Sequence, residues 1–579
     1  MKGILVYLKE YKKEAVLAPL FKLLEAFFEL FVPLVMANMI DVGIAGGDRP
    51  YIVKMGLWLI LLAVVGLTAS VTAQFFAAKA AVGFSTKLRE VLFGHMQDLN
   101  FTNIDQVGTS TMITRMTSDI NQVQSGVNMV LRLFLRSPII VFGAMIMAFT
   151  IDVKCALVFV VAIPLLALVV FGIMVITIPL YKKVQGGLDK VLGITRQNLT
   201  GVRVIRAFGQ EEKQTAEFEE NNRALTAVQV FVGKISACMN PVTYSIVNGA
   251  IMLLIYMGAI QVQIGNLSQG EVIAIINYMS QILVELVKLA NLIILTTKAV
   301  ACGERVAAVL ATENETQGEL PGVSDKAKEA YLVFDKVSLT YKGAGEKTLS
   351  DISFQVNKGD TVGVIGGTGS GKTSLINLIP GFYPATEGAV YLNGENILSL
   401  SEKERIDRVG IVPQKAVLFK GTIRSNLLWG KENATEEEMW EALGLAQAKE
   451  VVEGKEGMLD AVVEQKGKNF SGGQRQRLTI ARALIKKPEI LILDDSASAL
   501  DYATDAKLRQ AIKSLAGSMT TFIVSQRAST IRYADKILVL DDGELVGNGT
   551  HEELLTNCPV YQEIYYSQYP EERKEEKAE

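Results

Sequence analysis

The chain has 579 residues, 49% hydrophobic and 21% charged, with 58 Lys+Arg against 61 Asp+Glu. Such a length asks for several domains, and a net charge of −3 excludes a polycation built for nucleic acid. A mean hydropathy of +0.28 is high for a wholly soluble protein, and four dispersed cysteines with only two histidines, His95 and His551, exclude a disulfide framework and a multi-histidine metal centre.

The first apolar stretch, about 15–41, carries Lys22, Glu25 and Glu29 at i, i+3 and i+7 on one helical face and then runs charge-free to Ile40. Uncharged runs follow between Lys54 and Lys79 (24 residues), Lys154 and Lys182 (27) and Lys234 and Glu271 (36). The stretches 129–151 and 271–297 stay strongly apolar with a few charges. About 20 apolar residues cross a hydrocarbon layer of about 30 Å, so six spanning helices are predicted. Several windows of that length weigh against buried core helices of a soluble protein.

The links at 43–53, 152–154 and 262–270 are short and poor in basic residues, whereas the N-terminus and segments 87–127 and 182–234 hold most Lys and Arg. The positive-inside rule then places both termini and both long loops in the cytoplasm, with no cleavable signal at the start. Thr109–Gln124 and Gly209–Asn222 mix polar and apolar residues at helical spacing, as continuations of the spans past the bilayer would. In the last span Glu285 and Lys288 form an i, i+3 pair. Charge within a bilayer faces a cavity or a partner, which makes Glu25, Glu29, Glu285 and Lys288 candidates for a transport pathway. A salt bridge locking helices fits the same spacing. Asn248 and Asn277 read more readily as helix–helix contacts, and the scattered methionines as packing.

Thr312–Ala330 is polar, with Gly and Pro, and reads as a linker; from Tyr331 short β-rich runs alternate with helical segments, as in an α/β nucleotide domain. The final charge run, Glu571–Glu579, reads as a tail. The β run Thr361–Ile365 ends at Gly366-Gly367-Thr368-Gly369-Ser370-Gly371-Lys372-Thr373, with a helix beginning at Ser374. This P-loop pattern curls backbone N–H groups around phosphates, sets Lys372 on the β/γ-phosphates and gives the Thr373 hydroxyl to Mg2+. The apolar strand Ile490–Leu493 ends in Asp494, which behind a P-loop can orient Mg2+. Phe470-Ser471-Gly472-Gly473-Gln474 precedes a helical run and offers a second anion cradle, suited to the nucleotide of a second subunit, although Ser-Gly-Gly alone also makes a tight turn.

The order P-loop, Gln414 in VPQ, FSGGQ, ILILDD, then Ser498-Ala499-Leu500-Asp501 resembles an ATP-binding cassette (ABC) transporter, and six spans before one cassette resemble an exporter-type half-transporter. The resemblance covers essentially the whole chain and is greatest to heterodimeric multidrug exporters of prokaryotes. It implies a membrane all-α domain of six transmembrane helices (1–311), a linker (312–330), a cytoplasmic α/β P-loop nucleotide-binding domain (331–568) and a charged tail (569–579). It further implies that Tyr341 stacks on adenine and that Gln414 touches Mg2+ and faces the membrane domain. Ser471, Gly472, Gly473 and Gln474 would close over the ATP of the partner subunit, Ser498–Asp501 would link the two sites, and Glu464 would meet the coupling helices supplied by the two long loops. ATP and Mg2+ are the implied cofactors. The implied partners are a second half-transporter, the lipid bilayer and a small amphipathic substrate, with no nucleic acid.

Two positions depart from the family pattern. Where the family places a glutamate after the Mg2+-orienting aspartate, this chain has Asp495, shorter by one methylene, about 1.5 Å; a misplacement of about 1 Å can cost about 100-fold in rate. Where it places a γ-phosphate-contacting histidine, the chain has Gln526, which donates a hydrogen bond but exchanges no proton near neutral pH. By their places in the sequence, neither His95 nor His551 substitutes. These departures imply an ATP hydrolase coupled to transport whose own site is impaired, while its signature completes a partner's competent site. A slow homodimer, a lipid or peptide translocator and an importer on the exporter fold are the alternatives, and the six spans argue against a soluble cassette ATPase.

Overall fold

The computed structural model describes residues 3–314, 330–496, 498–515 and 517–572. Most of the expected linker (315–329) and the end of the expected tail (573–579) lie outside these residues. The chain forms two compact units: Met1–Asp98 with Val107–Glu313, and Leu99–Gln106 with Asn314–Glu579. This division departs from a single cut at the linker, because eight residues of the first long loop belong with the C-terminal half.

In the first unit a 3-10 turn (Ile4–Tyr11) leads into α1 (Lys12–Asn38), which closes in a π turn (Met39–Ile44). Then come α2 (Arg49–Asp98), α3 (Phe101–Val107, all but its last residue in the second unit), α4 (Thr109–Thr114), a π turn (Arg115–Asp119), α5 (Ile120–Leu133) and α6 (Arg136–Ile151). The rest is α7 (Val153–Thr200), α8 (Val202–Ala207), α9 (Glu211–Ala237), α10 (Met239–Ile264) and α11 (Gln269–Leu310). Among the described residues six stretches are long and apolar enough to cross a membrane: Ile4–Ile44, Arg49–Asp98, Thr109–Ile151, Val153–Thr200, Glu211–Ile264 and Gln269–Leu310. At a rise of about 1.5 Å per residue, α2 and α7 are about 70–75 Å long, more than twice the hydrocarbon thickness of about 30 Å. Gly209, expected inside a helix, is instead a break with φ +60°, and α9 starts two residues later.

Local chemistry sets the ends. Asp152 separates α6 from α7 by accepting a hydrogen bond from the Cys155 amide at 2.7 Å, and Ser268 with Glu271 forms a capping box that starts α11. Without bulk hydrophobic drive inside lipid, small residues bring helices together. Ala69, Ala73, Ala77 and Ala80 make a buried stripe on α2, and α5 lies so close to α11 that a Cβ on Gly126 would collide with Ala299. A second core gathers Phe159, Leu166, Tyr278 and Ile282, with the Tyr278 hydroxyl donating to the Leu30 carbonyl.

The second unit begins with β1 (Leu332–Leu339), β2 (Leu349–Val356), β3 (Thr361–Gly366), α12 (Lys372–Leu378), β4 (Glu387–Leu392) and β5 (Glu395–Asn396). It continues through α13 (Glu402–Arg408), β6 (Val409–Val412), β7 (Gly421–Thr422), α14 (Ile423–Leu428), α15 (Glu436–Leu445), α16 (Lys449–Glu453) and β8 (Val462–Val463). It ends with α17 (Gly472–Leu484), β9 (Ile490–Asp494), α18 (Tyr502–Lys513), β10 (Thr520–Val524), α19 (Ala528–Ile531), β11 (Lys536–Asp541), β12 (Glu544–Gly549), α20 (His551–Asn557) and α21 (Pro559–Gln568). A six-stranded sheet runs β12-β11-β3-β10-β9-β6, beside an antiparallel sheet β2-β1-β4-β5. Strands β3, β10 and β9 are parallel neighbours buried on both faces, which explains their unbroken apolar runs. Their register, Val364 beside Val524 and Val524 beside Asp494, brings three strand ends to one edge of the sheet, where ligands of α/β folds bind.

Candidate nucleotide site

The turn from β3 to α12 contains two glycines at left-handed φ, Gly369 (+86°) and Gly371 (+90°), a region that side-chain-bearing residues rarely occupy. A Cβ on Gly366 would meet Ser370 Oγ at 2.6 Å. The backbone thus forms a bare cradle with Gly367 and Thr368 exposed. Lys372 folds back over it, donating to the Gly366 carbonyl at 3.0 Å, the Gly367 carbonyl at 2.5 Å and Ser370 Oγ at 3.3 Å. Burial pushes the Lys372 ammonium below its ordinary pKa, with Asp494 and Asp495 pulling it back up. An anion seated in the cradle would favour the charged lysine in the same way.

Thr373 Oγ1 lies 3.2 Å from Asp494 Oδ2. Burial raises the Asp494 pKa, the Asp495 charge raises it further, and the Thr373 hydrogen bond opposes both. Two adjacent acids and a hydroxyl at the edge of a phosphate cradle fit Mg2+, which takes one or two carboxylates and fills its shell with phosphate oxygens and water. Thr373 and Asp494 would hold that ion. Among the described residues no cluster of three or more His, Cys, Asp or Glu offers a metal site made of protein alone.

Asp495 follows β9 with φ +45°. Its amide donates to the Val524 carbonyl at 3.0 Å, and Gln414 Nε2 donates to its Oδ2 at 3.4 Å. Gln526 lies beyond the end of β10 with an exposed side chain, and its carbonyl accepts from Gln568 Nε2 at 2.8 Å. The histidines are engaged elsewhere: His95 Nε2 pairs with the Thr312 carbonyl at 3.0 Å and His551 Nδ1 with the Tyr561 hydroxyl at 2.7 Å.

Tyr341 hydrogen-bonds Ser374 Oγ at 3.0 Å and meets the Tyr383 ring edge to face at 5.0 Å. Tyr383 donates to Asp105 Oδ2 at 2.6 Å, and Phe382 stacks on Phe101 at 4.4 Å, so α3 is tied to the neighbourhood of the P-loop. Sequence reading missed Tyr383 and Asp105; no spacing pattern connects residues 278 positions apart.

Ser471 caps α17 in a capping box with Gln474, leaving Ser471 and Gly472 exposed. Gly473 approaches the Ala499 carbonyl closely. Asp501 caps α18 through the Thr504 amide at 2.9 Å. Among the described residues no hydrogen bond joins Ser471–Gln474 to the P-loop. Glu464 is exposed, its amide bonded to Asn469 Oδ1.

In the membrane unit the candidate pathway residues converge on a residue that the sequence reading did not single out. Arg136 reaches Glu285 Oε1 at 2.6 Å, Glu29 Oε2 at 2.7 Å and Glu25 Oε1 at 3.9 Å. Lys288 reaches Glu285 Oε1 at 2.8 Å, Ser137 donates to Glu285 Oε2 at 2.8 Å, and Lys22 reaches Glu25 at 2.5 Å. The available signal was an arginine pair, Arg132 and Arg136, entering an apolar stretch. Asn277 lines the same neighbourhood, whereas Asn248 is exposed.

Two variants check this geometry. Lys372→Ala should abolish high-affinity nucleotide binding, measured by fluorescent-nucleotide titration, while the protein remains monodisperse. Arg136→Leu should destabilise the membrane unit by up to about 3–5 kcal/mol because it removes the counter-charge shared by Glu29 and the buried Glu285, leaving Glu285 with Lys288 and Ser137 alone, and Arg136→Leu with Glu285→Leu should recover part of that loss in thermal inactivation.

The comparisons with known proteins agree with this geometry. The family model for the ABC transporter transmembrane region matches residues 16–286, and that for the ABC transporter matches 349–498. The uncharacterized ABC transporter ATP-binding protein YfiB of Bacillus subtilis is 36% identical over 575 residues, covering 99% of this chain and all of the relative. A relative named "Putative multidrug export ATP-binding/permease protein YgaD", also from Bacillus subtilis, is 30% identical, with 98% of each chain covered. The solved structure of a bacterial Atm1-family ABC exporter with ATP bound shares the fold, with a TM-score of 0.79 at 23% identity over 96% of this chain and 98% of that one. Six apolar helices followed by a P-loop cassette, matched along nearly the whole length, make this chain a member of the ABC transporter family.

Proposed function

We propose that the chain is one subunit of a heterodimeric, ATP-driven exporter of drugs, lipids or other amphipathic molecules. It lies in the cell membrane with both termini and the cassette on the cytoplasmic side. The observation that carries this reading is a mismatch within one cassette: a complete phosphate cradle stands beside Asp495 and Gln526, whereas the exposed Ser471–Gly472 helix start has no phosphate site of its own to close. Lys372 and the loop amides bind ATP, Thr373 and Asp494 hold Mg2+, and Tyr341 takes the adenine. Asp495 is too short to reach the attacking water and Gln526 cannot relay a proton, so hydrolysis at this site is slow. In a head-to-tail pair, Ser471–Gln474 closes over the partner's nucleotide, and the partner supplies glutamate and histidine.

Further support comes from α8 and its flanks, where Val202 and Val204, with Leu199 just before and Phe208 just after the helix, are exposed apolar side chains suited to a second subunit. The relative named for multidrug export favours an amphipathic cargo.

Purified alone, the chain should bind ATP but hydrolyse it slowly; robust turnover and transport by the chain alone would overturn the heterodimer. In the complex, Ser471→Ala should lower turnover by about 100-fold, the scale of losing one transition-state donor, and Asp495→Asn should change it little. The reverse ranking would assign the competent site to this chain. Asp495→Glu with Gln526→His should raise turnover of the chain alone.

A further inference from the structure

Between α1 and α11 lies a cavity of about 300 Å³, lined by Glu29, Val32 and Met36 on one helix and Gln281, Val284 and Lys288 on the other. The charges around it balance: Lys22, Arg136 and Lys288 face Glu25, Glu29 and Glu285. Most are closed off. The Glu285 side chain is 3% exposed and accepts from Arg136, Lys288 and Ser137. Two remain open: Glu29, with 38% of its side chain exposed, uses one carboxylate oxygen on Arg136. Lys288, 41% exposed, uses one N–H on Glu285. Gln281 Oε1 is buried with no hydrogen-bond partner among the described residues, an acceptor left for a donor.

At membrane depth a ligand of net charge would leave the balanced cluster with one uncompensated charge. A ligand bringing both signs keeps the balance, with an ammonium on Glu29, an anionic group on Lys288, and an apolar chain against Val32, Met36 and Val284. We infer that this cavity binds zwitterionic amphiphiles: molecules that combine a primary ammonium, an anionic group and an apolar body. That it serves as a transport site rests on the exporter reading; the binding chemistry does not. A bilayer phospholipid and a free hydrophobic peptide share this chemistry.

The test is equilibrium binding to the purified full-length chain in dodecyl maltoside. The probes are lysophosphatidylethanolamine, trileucine, dodecyltrimethylammonium as the cation and laurate as the anion. At least one zwitterion should bind more tightly than either singly charged probe; lysophosphatidylethanolamine ahead of trileucine assigns a lipid source, and the reverse a free one. Lys288→Met leaves Glu285 held by Arg136 and Ser137, and Glu29→Gln leaves Arg136 on Glu285. Each should weaken the zwitterion at least about tenfold. The first should shift preference toward dodecyltrimethylammonium and the second toward laurate. Equal or tighter binding of a singly charged probe by the unaltered chain, or the same ranking in both variants, overturns the inference. The readout needs neither ATP turnover nor a partner, so its failure is distinct from failure of the heterodimer reading.

Discussion

Charge removed from water must be compensated nearby, and both units of this chain are arranged around that requirement. In the membrane unit, Arg136 enters an apolar stretch and is met by Glu25, Glu29 and Glu285, contributed by the first and last spans. The hub ties three helices, two of them also joined by the Tyr278 hydroxyl on the Leu30 carbonyl, and it turns the charged faces of α1 and α11 inward. In the cassette, Lys372 and Asp494 are both drawn away from water, and each is left in need of a counter-charge that the protein supplies only in part. The membrane cluster is charge-balanced by its own residues, with Glu29 and Lys288 left partly open, whereas the cassette cluster suits phosphate and a divalent cation. That difference separates a cluster balanced within the protein from one whose balance calls for a bound group.

What could be read from the sequence follows the range of each interaction. The P-loop was legible because consecutive residues encode it: glycines at left-handed positions, a lysine at the helix start and an apolar strand before them. The six spans were legible because bilayer thickness imposes a minimum apolar length. The helix cap at Ser471 was legible for the same local reason. Arg136 was not, since its partners lie 107 and 149 residues away and no periodicity connects them. The Tyr383–Asp105 hydrogen bond escaped likewise. Helical spacing of its neighbours predicts a helix through Gly209, and backbone freedom at one glycine overrides that pattern.

The two departures in the cassette acquire different physical meanings once placed. Asp495 is held in a left-handed backbone conformation, which aspartate tolerates better than most residues, and a glutamine amide approaches its carboxylate. Its shorter reach therefore combines with a constrained origin. Gln526 is anchored through its backbone by Gln568 of the last helix, so its side chain projects from a fixed point, and an amide exchanges no proton near neutral pH.

The segment Leu99–Gln106 leaves the membrane unit, packs Phe101 on Phe382 and offers Asp105 to Tyr383, and then the chain returns to the spans. Modularity along the polypeptide is thus not modularity in space. A cassette excised at the linker would lack one of its own helices, exposing an unpaired phenol and a bare aromatic face. The smallest piece of this protein that preserves the nucleotide unit intact is not a contiguous piece.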